Sequence, residues 1–165
     1  MKKLVFDGKY EAWLVETVAD IDAPTVTEIT AGDRITLFAP KDFLQWGKNQ
    51  ARVSGGDIST LYEAEEPGTW TIATTVQLFR DEDGTDPVAD GTIALGTVKY
   101  LVILPSGASG ANGEPTDGDL AYVARFKFGQ PTPANTAENQ NQRWEVDLFG
   151  QTPQPSFTAT VTSGA

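Results

Sequence analysis

Carboxylates are the only abundant side-chain groups in this sequence that could serve as catalytic groups or metal ligands. The 165 residues include 23 Asp and Glu but no His and no Cys. The usual general base, the usual zinc ligands and the thiolate nucleophile are therefore missing. Paired carboxylates are the one catalytic possibility left, and spacing distinguishes no pair from the other acidic residues. The sequence predicts no catalytic residue, no cofactor and a protein that is not an enzyme.

Two short motifs come closest to a specific site. Residues 81–86 read Asp-Glu-Asp-Gly-Thr-Asp and resemble half of a calcium-binding loop. Their glycine comes too early, and Thr92 stands where such a loop needs a bidentate glutamate. Residues 106–110 do not form a nucleophile elbow, because the glycines required two residues before and two residues after the serine do not both occur. We interpret residues 81–86 as a solvated acidic turn and predict no metal ion.

Composition and charge describe one acidic domain. The chain is 39% hydrophobic and carries a net charge of −11, which argues against specific binding to duplex DNA. An acidic surface fits either ordinary solubility or a surface that nucleic acid must pass without sticking. No stretch approaches the roughly 18 apolar residues of a membrane span, and Asp7 cuts short any export signal. We therefore expect no membrane partner.

Alternation of apolar and polar side chains dominates the sequence and predicts strands that bury one face. In residues 69–79, apolar residues such as Ile72 and Leu78 alternate with polar ones such as Thr71 and Gln77. The same pattern, with charged outer residues, recurs twice further along. The strands predicted in this way, together with one apolar run, lie at 10–18, 33–38, 69–79, 98–104, 120–128, 143–149 and 157–161. The fold is predicted to be mainly antiparallel β.

Two short helices and one long loop interrupt the strands. Pro24 and a Thr25-x-x-Glu28 capping box predict one or two helical turns that end at Gly32. Asp86-Pro87 predicts a second short helix before Gly96. Residues 40–68 show weak periodicity and are predicted to form a long loop, which either folds back on its own domain or docks on another subunit.

The order of these pieces carries a resemblance to a known family. The matching residues are Trp13-x-Val15, Ala23-Pro24-Thr25-x-x-Glu28-Ile29-x-Ala31-Gly32, the strand at 70–80, a helical link into 96–104, Gly118-Asp119-x-x-x-Val123, Phe128-Gly129-Gln130-Pro131, Arg143-Trp144-x-Val146 and the closing residues 155–161. Over nearly its whole length the chain resembles the major tail tube protein of long-tailed, siphovirus-type bacteriophages.

The resemblance implies an antiparallel β-sandwich or barrel with one short flanking helix, whose strands complete an oligomeric barrel. Hexameric rings would stack into a hollow tail tube, the conduit for DNA ejection into the host. Residues 1–10 would be an N-terminal arm, 11–150 the β-sandwich domain with 40–68 as its inter-ring loop, and 151–165 a C-terminal strand or arm.

The resemblance also implies partners and a location. The partners would be further copies of the chain, other tail proteins such as the tape measure, terminator and distal tail proteins, and genomic DNA that passes without specific binding. The protein would be part of the virion tail and would be assembled in the host cytoplasm.

The resemblance places the strands near 33–38, 70–79, 120–128 and 143–149 around the lumen. Their polar side chains are the candidate lumen-facing residues, and two aromatic residues of the long loop are the candidate inter-ring contacts. The lumen candidates are Arg34, Thr36, Thr71, Thr75, Gln77, Arg125, Lys127, Arg143, Glu145 and Asp147; the inter-ring candidates are Phe43 and Trp46. The lumen set is more basic than acidic, which departs from a wall that repels DNA.

Two other functions fit parts of the sequence. A carbohydrate-binding β-sandwich module would use Trp46 as a stacking platform and residues 81–86 as a calcium site. A tail terminator or connector protein would form one ring and never a filament. Self-assembly separates these alternatives, because only a tube protein polymerises.

Overall fold

Nine β-strands, one α-helix and two short 3-10 turns make up the described part of the chain. A computed structural model describes residues 10–40, 47–54, 65–134 and 141–164. In chain order the elements are β1 (Glu11–Val15), α1 (Val26–Thr30), β2 (Asp33–Arg34), β3 (Lys48–Ser54), β4 (Glu65–Phe79), β5 (Val98–Leu104), β6 (Leu120–Phe128), β7 (Thr132–Ala134), β8 (Arg143–Gly150) and β9 (Ser156–Thr160); the 3-10 turns are Thr36–Phe38 and Ala111–Gly113.

The strands form one antiparallel sheet in the order β2-β1-β5-β6-β8-β4-β3. β6 pairs with β9 along its first half and with β8 along its second half, and β7 continues the pairing along β8. In the described residues the sheet does not close on itself. The predicted class, mainly antiparallel β with one short helix, is confirmed and is consistent with a sandwich.

Two hydrophobic clusters stabilise the sheet from its two sides. The first, here called the sheet core, includes Leu78, Phe126 and Leu148, and the second, the helix core, places Ile29 of α1 against side chains such as Val102. β5 contributes to both, because its successive residues point to opposite faces. A strand buried on both faces needs apolar residues throughout, which explains the unbroken apolar run at 98–104.

Two predicted stretches differ from the structure. The strand predicted at 33–38 is wrong beyond Arg34, because the Thr36 hydroxyl accepts the Ala12 N–H (3.0 Å) and the chain turns into a 3-10 helix. The loop predicted at 40–68 contains β3, which pairs with the first half of β4 as a β-hairpin. Asn49 and Arg52 are exposed. The hairpin therefore does not show the alternation of buried apolar and exposed polar residues from which the other strands were predicted.

The two predicted helices have different outcomes. α1 is confirmed with its capping box: the Thr25 side chain accepts from the Glu28 N–H, and the Glu28 carboxylate accepts from the Thr25 N–H at 2.8 Å. The helix predicted after Asp86 is wrong. Asp86 caps a single turn through the N–H groups of Val88 and Ala89. The turn then ends at Gly91, whose φ of +85° is outside the helical region.

Candidate functional site

The outer surfaces of β4, β8 and the end of β6 form one continuous face, which we call the polar face. Side chains directly opposite each other on antiparallel strands point to the same side of a sheet. Thr75 lies opposite Asp147, Gln77 lies opposite Glu145, and Lys127 lies opposite Phe149. Eight of the candidate residues share this face: Thr71, Thr75, Gln77, Arg125, Lys127, Arg143, Glu145 and Asp147.

Burial along β4 alternates as its sequence predicts. Val76 and Leu78 are buried in the sheet core, whereas Thr71 and Thr75 between such positions are exposed. The predicted division of this strand into a core face and an outer face is therefore confirmed.

Hydrogen bonds between neutral and charged groups tie β4 to β8 on the polar face. Thr75 Oγ1 donates to Asp147 Oδ1 at 2.9 Å, and Gln77 Nε2 donates to Glu145 Oε2 at 3.1 Å. Arg143 Nη1 donates to Gln77 Oε1 at 3.0 Å. Each carboxylate thus has an uncharged donor from the neighbouring strand. Such cross-strand pairs contribute roughly 0.2–1 kcal/mol each.

The cations of the polar face are held in different ways. Arg125 Nη1 donates to the carbonyl of Thr152 at 2.9 Å, and its guanidinium lies 5.6 Å from the centroid of the Tyr100 ring. The Arg143 guanidinium lies 5.2 Å from the Phe79 ring. These contacts hold both arginines against aromatic rings. Lys127 is exposed and forms no ion pair with any described residue.

Arg34 and Thr36 lie apart from the polar face. Arg34 donates to both carboxylate oxygens of Glu11, at 2.8 and 2.7 Å, and to the carbonyl of Asn112 at 2.7 Å. The Thr36 hydroxyl donates to the same carboxylate at 2.6 Å. β2 is four strands from β8 in the sheet, or roughly 19 Å at the usual strand spacing. These two residues fasten the edge strand β2, and the structure does not bring them to the other candidates.

The inter-ring candidates, Phe43 and Trp46, lie outside the described residues. So does most of the predicted N-terminal arm. The predicted C-terminal strand or arm contains β9, which pairs with β6, and the helix core includes Ala159 and Val161 from this segment. Part of the segment at 151–165 therefore packs within its own subunit.

The acidic turn at 81–86 uses its inward carboxylate internally. Asp86 is buried and accepts hydrogen bonds from three backbone N–H groups, those of Asp81, Val88 and Ala89. The Thr85 hydroxyl donates to Asp81 and keeps the pKa of that carboxyl below its usual value. In the described ranges, no group of three or more His, Cys, Asp or Glu side chains could hold a metal ion.

One structural carboxylate was missed by sequence reasoning. Asp119 is buried and clamps the glycine-rich connection before β6 by accepting from Ser109 and Thr116, each through its backbone N–H and its hydroxyl. Burial alone raises the pKa of this carboxyl, but the four hydrogen bonds outweigh it and leave the pKa below its usual value. The sequence signals are an acidic residue between a Gly-rich turn and a strand, and the place of Asp119 in the Gly118-Asp119-x-x-x-Val123 pattern that supports the family resemblance.

Replacing Asp119 with Ala is expected to lower the free energy of unfolding by about 1–3 kcal/mol at pH 7, because four partly buried donors lose their charged acceptor. The pKa of Asp119 is lower in the folded protein than in the unfolded chain, so its charged form stabilises the fold. This contribution is fully present above the unfolded pKa, about 3.9 for Asp, and is lost as the pH falls through the folded pKa. The difference in the free energy of unfolding between wild type and Asp119→Ala should therefore become smaller in strong acid. Urea denaturation at several pH values measures it.

The matched control is Asp117→Ala. Asp117 is exposed and accepts one hydrogen bond, from the Ser163 N–H at 3.1 Å, so its loss should cost less than about 1 kcal/mol. Equal losses of unfolding free energy in the two variants, or a loss in Asp119→Ala that does not change with pH, would contradict the proposed role of the Asp119 carboxylate.

The described residues define a mainly antiparallel β-protein with a sheet that does not close on itself and one broad polar face. A family model described as phage tail tube protein matches residues 1–163. The chain belongs to this family, which confirms the resemblance found in the sequence. No curated protein sequence gives a significant match. No helix in the described ranges is long and apolar enough to span a membrane.

Family membership gives the general role. The protein is a structural component of the phage tail tube, it resides in the virion tail, and it assembles with copies of itself and with other tail proteins. The match covers almost the whole chain and so favours this role over a carbohydrate-binding module.

Proposed function

We propose that the chain closes into hexameric rings, and that stacked rings form a hollow tube through which the genome passes during ejection. The observation that carries this proposal is the polar face. Thr71, Thr75 and Gln77 are small or uncharged, and they share the face with charged residues of β8. A surface of this kind suits a wall beside which a polymer slides. We assign the polar face to the lumen.

Ring closure has a physical rationale in the sheet. β2 and β3 stand at the two ends of the strand order, and in the described residues each pairs on one side only. An exposed strand edge presents unpaired N–H and C=O groups, which favour pairing with another chain. Pairing between neighbouring subunits around a ring satisfies these groups and closes the sheet into one barrel.

The β3–β4 hairpin supports stacking of rings. Among the β3 side chains that the structure describes, none belongs to either core cluster, and Asn49, Gln50 and Arg52 are exposed. The first half of β4 pairs with β3, whereas only its second half pairs with β8. We infer that this hairpin and residues 40–47 contact the next ring. The tape measure would fill the tube, and terminator and distal tail proteins would cover its ends, with assembly in the host cytoplasm.

Electron microscopy of the purified protein tests the proposal. We expect hollow tubes of uniform diameter whose end views show six-fold rings. Single rings that never stack would instead identify a terminator or connector. A monomeric mass by light scattering at all concentrations, with no tubes on the grids, would contradict the proposal.

Replacing both Phe43 and Trp46 with Ala is expected to leave β-structure and rings intact but to prevent tubes. Buried aromatic anchors commonly cost about 2 kcal/mol or more each when truncated. Circular dichroism and electron microscopy give the two readouts. Leu37→Ala is the control, because Leu37 is a nearby apolar side chain that is 83% exposed in the subunit. Loss of the β signal in the double variant would show that the two aromatics stabilise the subunit itself.

A further inference from the structure

The polar face differs in charge from the rest of the molecule. The charged side chains that the structure describes on it are the cations Arg125, Lys127 and Arg143 and the anions Glu145 and Asp147, so three positive and two negative charges give +1. The whole chain carries −11, so the remainder carries −11 minus +1, or −12. The face is thus the weakly positive part of a strongly acidic subunit.

The charges of this face do not neutralise one another by direct contact. The carboxylates of Asp147 and Glu145 accept hydrogen bonds from Thr75 and Gln77, which are neutral. Where both partners are described, the ion pairs are those of Arg34 with Glu11 and of Lys99 with Glu16 and Asp33, all outside this face. Lys127, which forms no ion pair with a described residue, therefore remains available to a polyanion.

Lys127 is the cation best placed to reach a ligand. Arg125 and Arg143 are half-buried and lie over aromatic rings, whereas the Lys127 side chain is exposed. It lies opposite Phe149, which is uncharged, so no carboxylate stands directly across from it on β8. A lysine ammonium is a flexible point charge that can follow a moving phosphate.

We propose that Lys127 contacts the phosphates of duplex DNA as it passes along the polar face. This inference rests on the proposed function and refines it: the wall holds DNA weakly rather than only repelling it. Contacts with phosphates are independent of sequence and allow a protein to slide along DNA. The carboxylates on β8 keep the attraction small, and the acidic remainder of the subunit directs DNA away from the outer surface.

The test uses assembled tubes of wild type, Lys127→Gln and Lys127→Glu, with a short fluorescent DNA duplex as the probe. Tube shape is checked by electron microscopy before binding is measured at increasing NaCl concentrations. We expect wild-type binding to fall with salt, and Lys127→Gln to reduce the slope of log K against log salt by about 1 or more. Lys127→Glu should weaken binding further.

The matched control is Arg80→Gln, which also removes one positive charge. The Arg80 guanidinium lies 5.1 Å from the centroid of the Trp144 ring and outside the polar face. It should leave the salt slope unchanged. Equal effects of Lys127→Gln and Arg80→Gln, or no DNA binding by wild-type tubes at low salt, would overturn the inference while leaving the tube intact. A wild-type protein that forms no tubes would overturn the proposed function as well.

Discussion

Replacing Val76 with Lys is expected to abolish folding of the subunit, whereas Thr75→Lys, one residue away, should leave folding and assembly nearly unchanged. Val76 is 3% exposed and belongs to the sheet core. An ammonium at this position would be buried without a partner, at a cost of several kcal/mol, which is comparable to the whole stability of a domain. Thr75 is exposed on the polar face. Far-UV circular dichroism and thermal melting compare the two variants.

The comparison also has a functional readout. A lysine at position 75 would lie opposite Asp147 and would add one positive charge per subunit to the polar face. Tubes of this variant should retain DNA more strongly than wild type, and the difference should fade as salt is added. If Thr75→Lys prevented folding and Val76→Lys did not, the assignment of the two faces of β4 would be reversed.

The long strands could be predicted because their signal is local. Alternation predicts the second half of β4 and all of β8, where one face is buried and the other is not. β5 could be predicted for a different reason, since a short run of apolar residues bounded by turn residues fits a strand buried on both faces. α1 was predictable because its capping box lies within four consecutive residues, Thr25 to Glu28.

The missed elements depend on contacts that are distant in sequence. β3 lacks the alternation of apolar and polar residues that predicts a strand. It is recognised as a strand only by its pairing with β4, for example of Lys48 with Ile72. The strand at 33–38 ends early because Thr36 bonds to Ala12, 24 residues away. The turn at Asp86 has the right capping residue, but local hydrogen bonds and Gly91 stop it after one turn.

The polar face was predictable in part for the same reasons. The alternation of side chains along β4 assigns Thr75 and Gln77 to the same side of the sheet. Only the pairing register of β4 with β8 shows that Asp147 and Glu145 are their neighbours. Arg34 was included because a full strand was expected where only two residues pair. Asp119 was missed because its partner Ser109 lies ten residues away, across a Gly-rich connection.

Shortening the β3–β4 hairpin is expected to abolish the tube while preserving the subunit. Gln50 and Trp70 lie directly opposite each other, so residues 51–69 can be replaced by Asn-Gly, which favours the type I′ turn of a two-residue hairpin connection. Neither core cluster includes a described residue of that segment, and Trp70, which packs against the sheet core, is retained. We therefore expect native-like circular dichroism and melting, species smaller than rings by light scattering because most of the β3 edge is removed as well, and no tubes by electron microscopy.

A shorter excision locates the contact within the hairpin. Val53 and Glu66 also lie opposite each other, and replacing residues 54–65 with Asn-Gly keeps the base of the hairpin and leaves Glu66, unlike Pro67, with an N–H that can close the turn. If the ring-to-ring contact is near the tip, both variants lose stacking; if it is near the base, only the longer excision does. Loss of β signal in either variant would show that the hairpin stabilises its own subunit. Full-length tubes from the 51–69 excision would contradict its role in stacking, because no part of the hairpin beyond the Gln50–Trp70 pair would then remain to hold one ring to the next.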